Sequence, residues 1–155
     1  MIYGTLYLLS IVCANILVIY FGIISIGPLD VPAGAVVVGI TFTLRDIVQQ
    51  VYGKFKCWWW MISAALISAL FSPTVALASV SAFLISEAID WLIFSTVKGS
   101  ARKRSILSNV FGTPLDSLVF VPMVFGWVWP AIIGQAVVKL VSSLVVVFIV
   151  FRDKK

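Results

Sequence analysis

The chain has 155 residues, 62% hydrophobic and 11% charged, with a mean hydropathy of +1.16 and a formal net charge of +5. So few charged residues cannot cover the apolar surface of a soluble fold, which excludes a water-soluble globular domain and leaves an integral membrane protein. The positive residues flank apolar runs instead of sharing a basic face with interleaved aromatics. They therefore indicate bilayer orientation and anionic lipid headgroups, not a nucleic-acid partner.

An apolar helix needs roughly 20 residues to cross the hydrocarbon, and turn residues divide the chain into six such pieces. They run approximately from Tyr3 to Ile26, Ala33 to Tyr52, Cys57 to Ser72, Val75 to Val97, Ser105 to Gly126 and Pro130 to Phe151. The first run is too long for a signal-peptide core and lacks a basic leader, so it is expected to be a retained helix. Gly27-Pro28-Leu29-Asp30-Val31-Pro32 reads as a turn, and Gly53 to Lys56 as another.

Cys57 to Ser86 carries no charge, so the boundary inside it rests on charge parity. One long helix there would put Lys54 and Lys56 opposite Lys98 and Arg102-Lys103-Arg104, so Ser72-Pro73-Thr74 is expected to be an outer hairpin. With six crossings, Lys54, Lys56, Lys98, Arg102, Lys103, Arg104, Arg152, Lys154 and Lys155 share one side, which the positive-inside rule makes the cytoplasm. Trp58, Trp59 and Trp60 then mark the inner interface, and Trp127 and Trp129 the outer one. The expectation is an all-α integral membrane fold, a single six-helix transmembrane domain over residues 1–155, with both termini cytoplasmic.

The sequence contains no His, and its cysteines are Cys13 and Cys57. Neither a structural disulfide, a metal site nor a cofactor is expected.

Arg45, Asp46, Glu87, Asp90, Asp116 and Lys139 fall inside apolar runs, where each costs at least ~2.5 kcal/mol near a helix centre if it faces lipid. They should therefore turn inward. At ~1.5 Å per residue from the inner ends, Asp46 and Asp90 lie about 12 Å deep, Glu87 and Asp116 about 16 Å and Lys139 about 20 Å. Helical spacing adds Gln50 to Asp46, Asn109 to Asp116 and Gln135 to Lys139, while Asn15 brings an amide from the first helix. Gly112-Thr113-Pro114 is expected to interrupt regular hydrogen bonding and expose backbone groups to a cavity. One reading makes these charges structural ion pairs, Arg45 with Glu87 or Asp90 and Lys139 with Asp116. The other makes them a shared central pocket, favoured by four acids against two bases, a surplus that protons or a donor-rich ligand would offset. Trp91, Phe83, Phe94 and Phe120 are either helix packing or a stacking platform for such a ligand.

At these residues the chain resembles the queuosine precursor transporter family, also called the vitamin uptake transporter family. The likeness runs through Gly34 to Lys54 (GAVVVGITFTLRDIVQQVYGK), Ser86 to Phe94 (SEAIDWLIF) and Ser108 to Phe120 (SNVFGTPLDSLVF), and reaches Lys139. It implies a six-helix inner-membrane carrier importing a 7-deazaguanine such as preQ0 or preQ1, with Asp46, Asp90, Asn109, Asp116 and Lys139 as functional positions. Gln50 stands where many relatives have Glu, and Glu87 where many have Gln.

The chemistry fits independently. A 7-deazaguanine presents an N1–H beside an exocyclic amine, which a carboxylate of Glu87, Asp90 or Asp116 can accept in a bidentate pair. Lys139 or Asn109 would donate to the O6 carbonyl, and Trp91, Phe94 or Phe120 would cover the flat face. Rival readings are a substrate-binding subunit of an ATP-driven importer, docking through the small residues Ser10 and Ala14, and a pore-forming or structural membrane protein. An enzyme is not expected, since no nucleophile–base pair, metal-ligand cluster or phosphate loop is present. The oligomeric state stays open, a homodimer included.

Overall fold

The computed structural model describes residues 1–150; the side chains of Trp91, Phe94, Ser95 and Ala101 lie outside the described residues, as do Arg152, Lys154 and Lys155. In chain order the elements are α1 (Ile2–Phe21), β1 (Ile23–Ile26), β2 (Leu29–Pro32), α2 (Ala35–Tyr52), α3 (Lys54–Ala69), α4 (Pro73–Thr96), α5 (Ala101–Phe125) and α6 (Trp129–Val150). Four helical stretches are long and apolar enough to cross a membrane, namely α1, Pro73–Asp90 of α4, Arg102–Phe125 of α5, and α6. α3, at 16 residues, rises only about 24 Å, and α2 is interrupted by Arg45, Asp46, Gln49 and Gln50.

Side-chain contacts fix the directions of the helices. The Met1 ammonium donates to the Tyr52 hydroxyl at 2.6 Å, so α1 and α2 run antiparallel. Asn15 donates to Ser68 at 2.9 Å, well along both α1 and α3. Trp58 meets Phe83 edge-on at 5.9 Å across α3 and α4, and Ser108 donates to Asp90 at 2.6 Å across α5 and α4. Helices adjacent in sequence therefore alternate in direction. Lys54, Lys56, Lys98 and Lys103 are exposed at one end, here the basic end.

The opposite end differs from the expectation. α1 stops at Phe21, where Gly22 takes φ 59°, and Ile23 to Ile26 leave the helix to pair antiparallel with Leu29 to Pro32. Of the segment read as a turn, only Gly27 and Pro28 form the loop, and Leu29 to Pro32 are strand. Gly27, at φ 61°, supplies the left-handed residue that a two-residue hairpin loop needs. The hairpin lies on α6 so closely that a Cβ at Gly134 would run into the Asp30 carbonyl. Val31 and Pro32 are buried against the bundle, while Ile24 and Ile26 are exposed.

α5 keeps its helical path through Gly112-Thr113-Pro114 and Pro122, although neither proline can donate to the carbonyl four residues before it. The Thr113 hydroxyl donates to the Asn109 carbonyl and the Ser117 hydroxyl to the Thr113 carbonyl, both at 2.8 Å. These hydroxyls fold back onto the helix's own carbonyls, so neither is left unpaired in the interior. α4 and α5 begin on serine caps: Ser72 accepts from Val75 N, with Pro73 in the first turn, and Ser100 accepts from Lys103 N.

Two apolar layers enclose the polar interior. Val18, Val75, Ala82, Phe120 and Ile132 pack toward the hairpin end, and Tyr7, Ile11, Val48, Met61 and Ala64 toward the basic end. Trp59, Trp127 and Trp129 are exposed, whereas Trp58 and Trp60 are half-buried between helices.

Candidate functional site

The interior charges fall into two ion-paired groups. At the basic end, α2 presents Arg45, whose guanidinium reaches Asp46 Oδ1 at 3.1 Å, Asp90 Oδ1 at 3.3 Å and Glu87 Oε2 at 4.0 Å. It stacks over Phe42, 5.0 Å from the ring centroid. Each acid has a further partner. Ser105 donates to Asp46, Ser108 donates to Asp90 at 2.6 Å, and the Gln49 amide donates to both Glu87 oxygens at 2.9 and 2.7 Å. Arg45, Asp46, Glu87 and Asp90 are all buried.

The second group sits midway along the bundle. Lys139 of α6 donates to Asp116 of α5, and its Nζ lies 5.4 Å from the Phe120 ring centroid. A cavity opens beside this pair. Its larger lobe, about 520 Å³ including the open mouth, is bounded by Asn15, Thr41, Phe42, Arg45, Ser79, Phe83, Ser86 and Asp116 among others. The adjoining lobe, about 310 Å³, is bounded by Asn15, Gly34, Ser79, Asp116, Phe120, Gln135 and Lys139 among others. Asn15, Ser79 and Asp116 belong to both walls, so the lobes adjoin there.

The expected site residues divide accordingly. Asn15, Arg45, Asp116, Phe120, Gln135 and Lys139 face the cavity. Asp46, Glu87, Asp90 and Asn109 line neither lobe; the acids are turned toward Arg45. Asn109 is fully buried, and neither polar atom of its side chain has a partner among the described residues. Gln50 is a correction: it is exposed, and its neighbour Gln49 points inward. A helix turns about 100° per residue, so one position moved the expected contact off the interior face. The Trp91 and Phe94 side chains lie outside the described residues.

Gln49, Ser105 and Ser108 are the residues sequence reasoning missed. Gln49 follows Arg45 by four positions, and Ser105, Ser108 or Asn109, Gly112 and Asp116 repeat at three- and four-residue steps along α5. That polar periodicity was the available signal. The Ser10 and Ala14 face, which the importer-subunit reading makes a docking surface, packs within the chain: Thr41 donates to Ser10 at 2.9 Å, and Gly34 lies against the Ala14 carbonyl.

The family model described as "Putative vitamin uptake transporter" matches residues 58–152. The chain belongs to the vitamin uptake transporter family. The match takes in α3 to α6, and with them Glu87, Asp90, Asn109, Asp116 and Lys139, whereas Arg45 and Asp46 precede it. No curated protein and no solved structure matches the chain. Family and apolar helices together make it a multi-pass membrane protein of a transporter family.

Proposed function

We propose that this chain is a carrier with six membrane crossings in the cytoplasmic (inner) membrane, importing a 7-deazaguanine precursor of queuosine, preQ0 or preQ1. The basic end faces the cytoplasm, because Lys54, Lys56, Lys98 and Lys103 are exposed there and positive residues are retained on that side. α2 and α3 cross as parts of the bundle: the charges of α2, Arg45 and Asp46, are paired in the interior, and those of α3, Lys54 and Lys56, stand at its cytoplasmic end.

The observation that carries the proposal is a buried donor next to a buried acceptor on the wall of a cavity. Lys139 and Asp116 satisfy each other. A guanine-like edge offers the complementary pair, an O6 acceptor next to an N1–H and amine donor. Such a ligand can enter between the two side chains, accepting from Lys139 and donating to Asp116, so neither charge is left unpaired. Phe120 supports Lys139 from behind and offers an aromatic face, while Gln135 Oε1 has no partner among the described residues and can accept from a ligand donor. Asn15, held by Ser68, adds an amide on the far wall.

Purified protein melted with guanine, preQ0, preQ1 or queuine tests this. A ligand that binds only the folded state at 100 times its Kd stabilises it by about 2.7 kcal/mol, so at least one deazaguanine should raise the melting temperature. A flat response to saturating concentrations of all four overturns the proposal.

A further inference from the structure

We infer that the carboxylate group around Arg45 is a proton-binding site separate from the substrate cavity, with Asp90 as its acceptor, and that it couples transport to a proton gradient. This rests on the carrier reading above and adds its driving ion.

Three carboxylates, Asp46, Glu87 and Asp90, surround a single guanidinium, and their residues are 2%, 7% and 1% exposed. The other groups facing them are Tyr7 from α1, Lys54 and Cys57 from α3, and the Ser105 and Ser108 hydroxyls from α5. Lys54 acts on Glu87 from an exposed position at the start of its helix. Arg102 and Arg104, on the first turn of α5, have contacts of their own. Asp46 and Asp90 therefore share Arg45.

Their shares are unequal. Asp46 uses both carboxylate oxygens, Oδ1 toward Arg45 and Oδ2 toward Ser105. Asp90 takes both Arg45 and Ser108 on Oδ1, and its Oδ2 has no partner among the described residues. A buried, unpaired carboxylate oxygen is costly while ionised. A proton on Oδ2 removes the cost without disturbing the bonds to Oδ1.

The group also has a route to the cavity. Arg45 binds the two aspartates and lines the larger lobe beside Phe42. Behind it, Ser105, Ser108, Asn109, Thr113 and Asp116 make a buried polar stripe along α5, about 16 Å from end to end. Protonating Asp90 weakens its hold on Arg45, and Arg45 transmits that change to the wall where substrate sits. Proton occupancy of Asp90 and substrate occupancy of the cavity are thereby linked, so an inward proton gradient drives substrate inward.

The test uses proteoliposomes and labelled preQ0 or preQ1, whichever stabilises the purified protein more. Counterflow, which exchanges substrate without net proton movement, reports the carrier; accumulation driven by an inward proton gradient reports coupling. Wild-type protein should show both, with accumulation lost on adding a protonophore, and Asp90→Asn should keep counterflow and lose accumulation. If Asp90→Asn fails to fold, Glu87→Gln serves instead: removing one negative neighbour should move half-maximal accumulation to lower pH, and an unmoved pH profile overturns the assignment. Wild-type counterflow without accumulation under the proton gradient, or accumulation driven by a sodium gradient instead, overturns the coupling and leaves the carrier standing. Asp90→Asn accumulating like wild type overturns the choice of residue. Absence of wild-type counterflow removes the carrier reading, and this inference with it.

Discussion

Arg45 is gripped by carboxylates from α2 and α4 that are themselves held by an amide of α2 and hydroxyls of α5. Lys139 has Asp116, an aromatic ring and a cavity. Both cations are buried to a similar degree, so burial does not separate them; the number of fixed partners does. A charge with several fixed partners stays paired when one of them is neutralised and shifts toward the rest, which suits a hub. A single partner beside open space can be exchanged for a ligand.

The largest effect should come from removing the hub. Arg45→Met leaves three buried carboxylates without their cation, and breaking such a group costs about 3–5 kcal/mol. The variant should yield little monodisperse protein, and its melting temperature in detergent should fall below that of every other substitution considered. A near-normal melt would mean that the acids are already neutral or solvated, and the contrast with Lys139 would disappear.

The central pair is tested by a cycle. Asp116→Asn alone strands Lys139 and should destabilise by about 3 kcal/mol, whereas Asp116→Asn with Lys139→Gln, which removes both charges, should recover most of that loss. Ligand stabilisation should be absent in both variants. Recovery of stability without recovery of binding marks a site; recovery of both would make the pair mere packing.

Much of this contrast was visible in the sequence, and the reasons differ from residue to residue. The inward turn of Arg45, Asp46, Glu87, Asp90, Asp116 and Lys139 followed from the cost of a charge in lipid, which holds whatever the neighbours are. Which acid meets which base did not follow, because depth along a helix says nothing of rotation about it. Glu87 and Asp116 were expected at similar depth, yet one belongs to Arg45 and the other to Lys139. Pro114 was expected to interrupt the hydrogen bonding of α5, since the proline rule is local; that the helix keeps its direction through it depends on packing along the whole element. The hairpin was missed because Ile23 to Ile26 is apolar enough to extend a helix, and only its packing against α6 distinguishes the two.

Next in size is the support from α5. Ser108→Ala deletes a hydrogen bond to a buried carboxylate, worth about 1.5–3 kcal/mol, and leaves Asp90 dependent on Arg45. Counterflow should persist, because Ser108 lines neither lobe of the cavity, while the melting temperature falls. Equal loss of counterflow and stability would show that the two groups are not separable.

The smallest expected effect, that of Gln50→Leu, sharpens the comparison most finely when set against its neighbour Gln49, because the difference depends on one step of helix rotation. Gln49 donates to both oxygens of Glu87 and Gln50 is exposed, although the two are adjacent and identical in kind. Gln49→Leu removes the donors from a buried carboxylate and should cost about 1.5–3 kcal/mol. Gln50→Leu replaces an exposed amide and should stay within about 0.5 kcal/mol of wild type. Melts of the two variants in the same detergent read the difference directly. Equal shifts would mean that α2 is rotated relative to the arrangement described, and with it the face that carries Arg45.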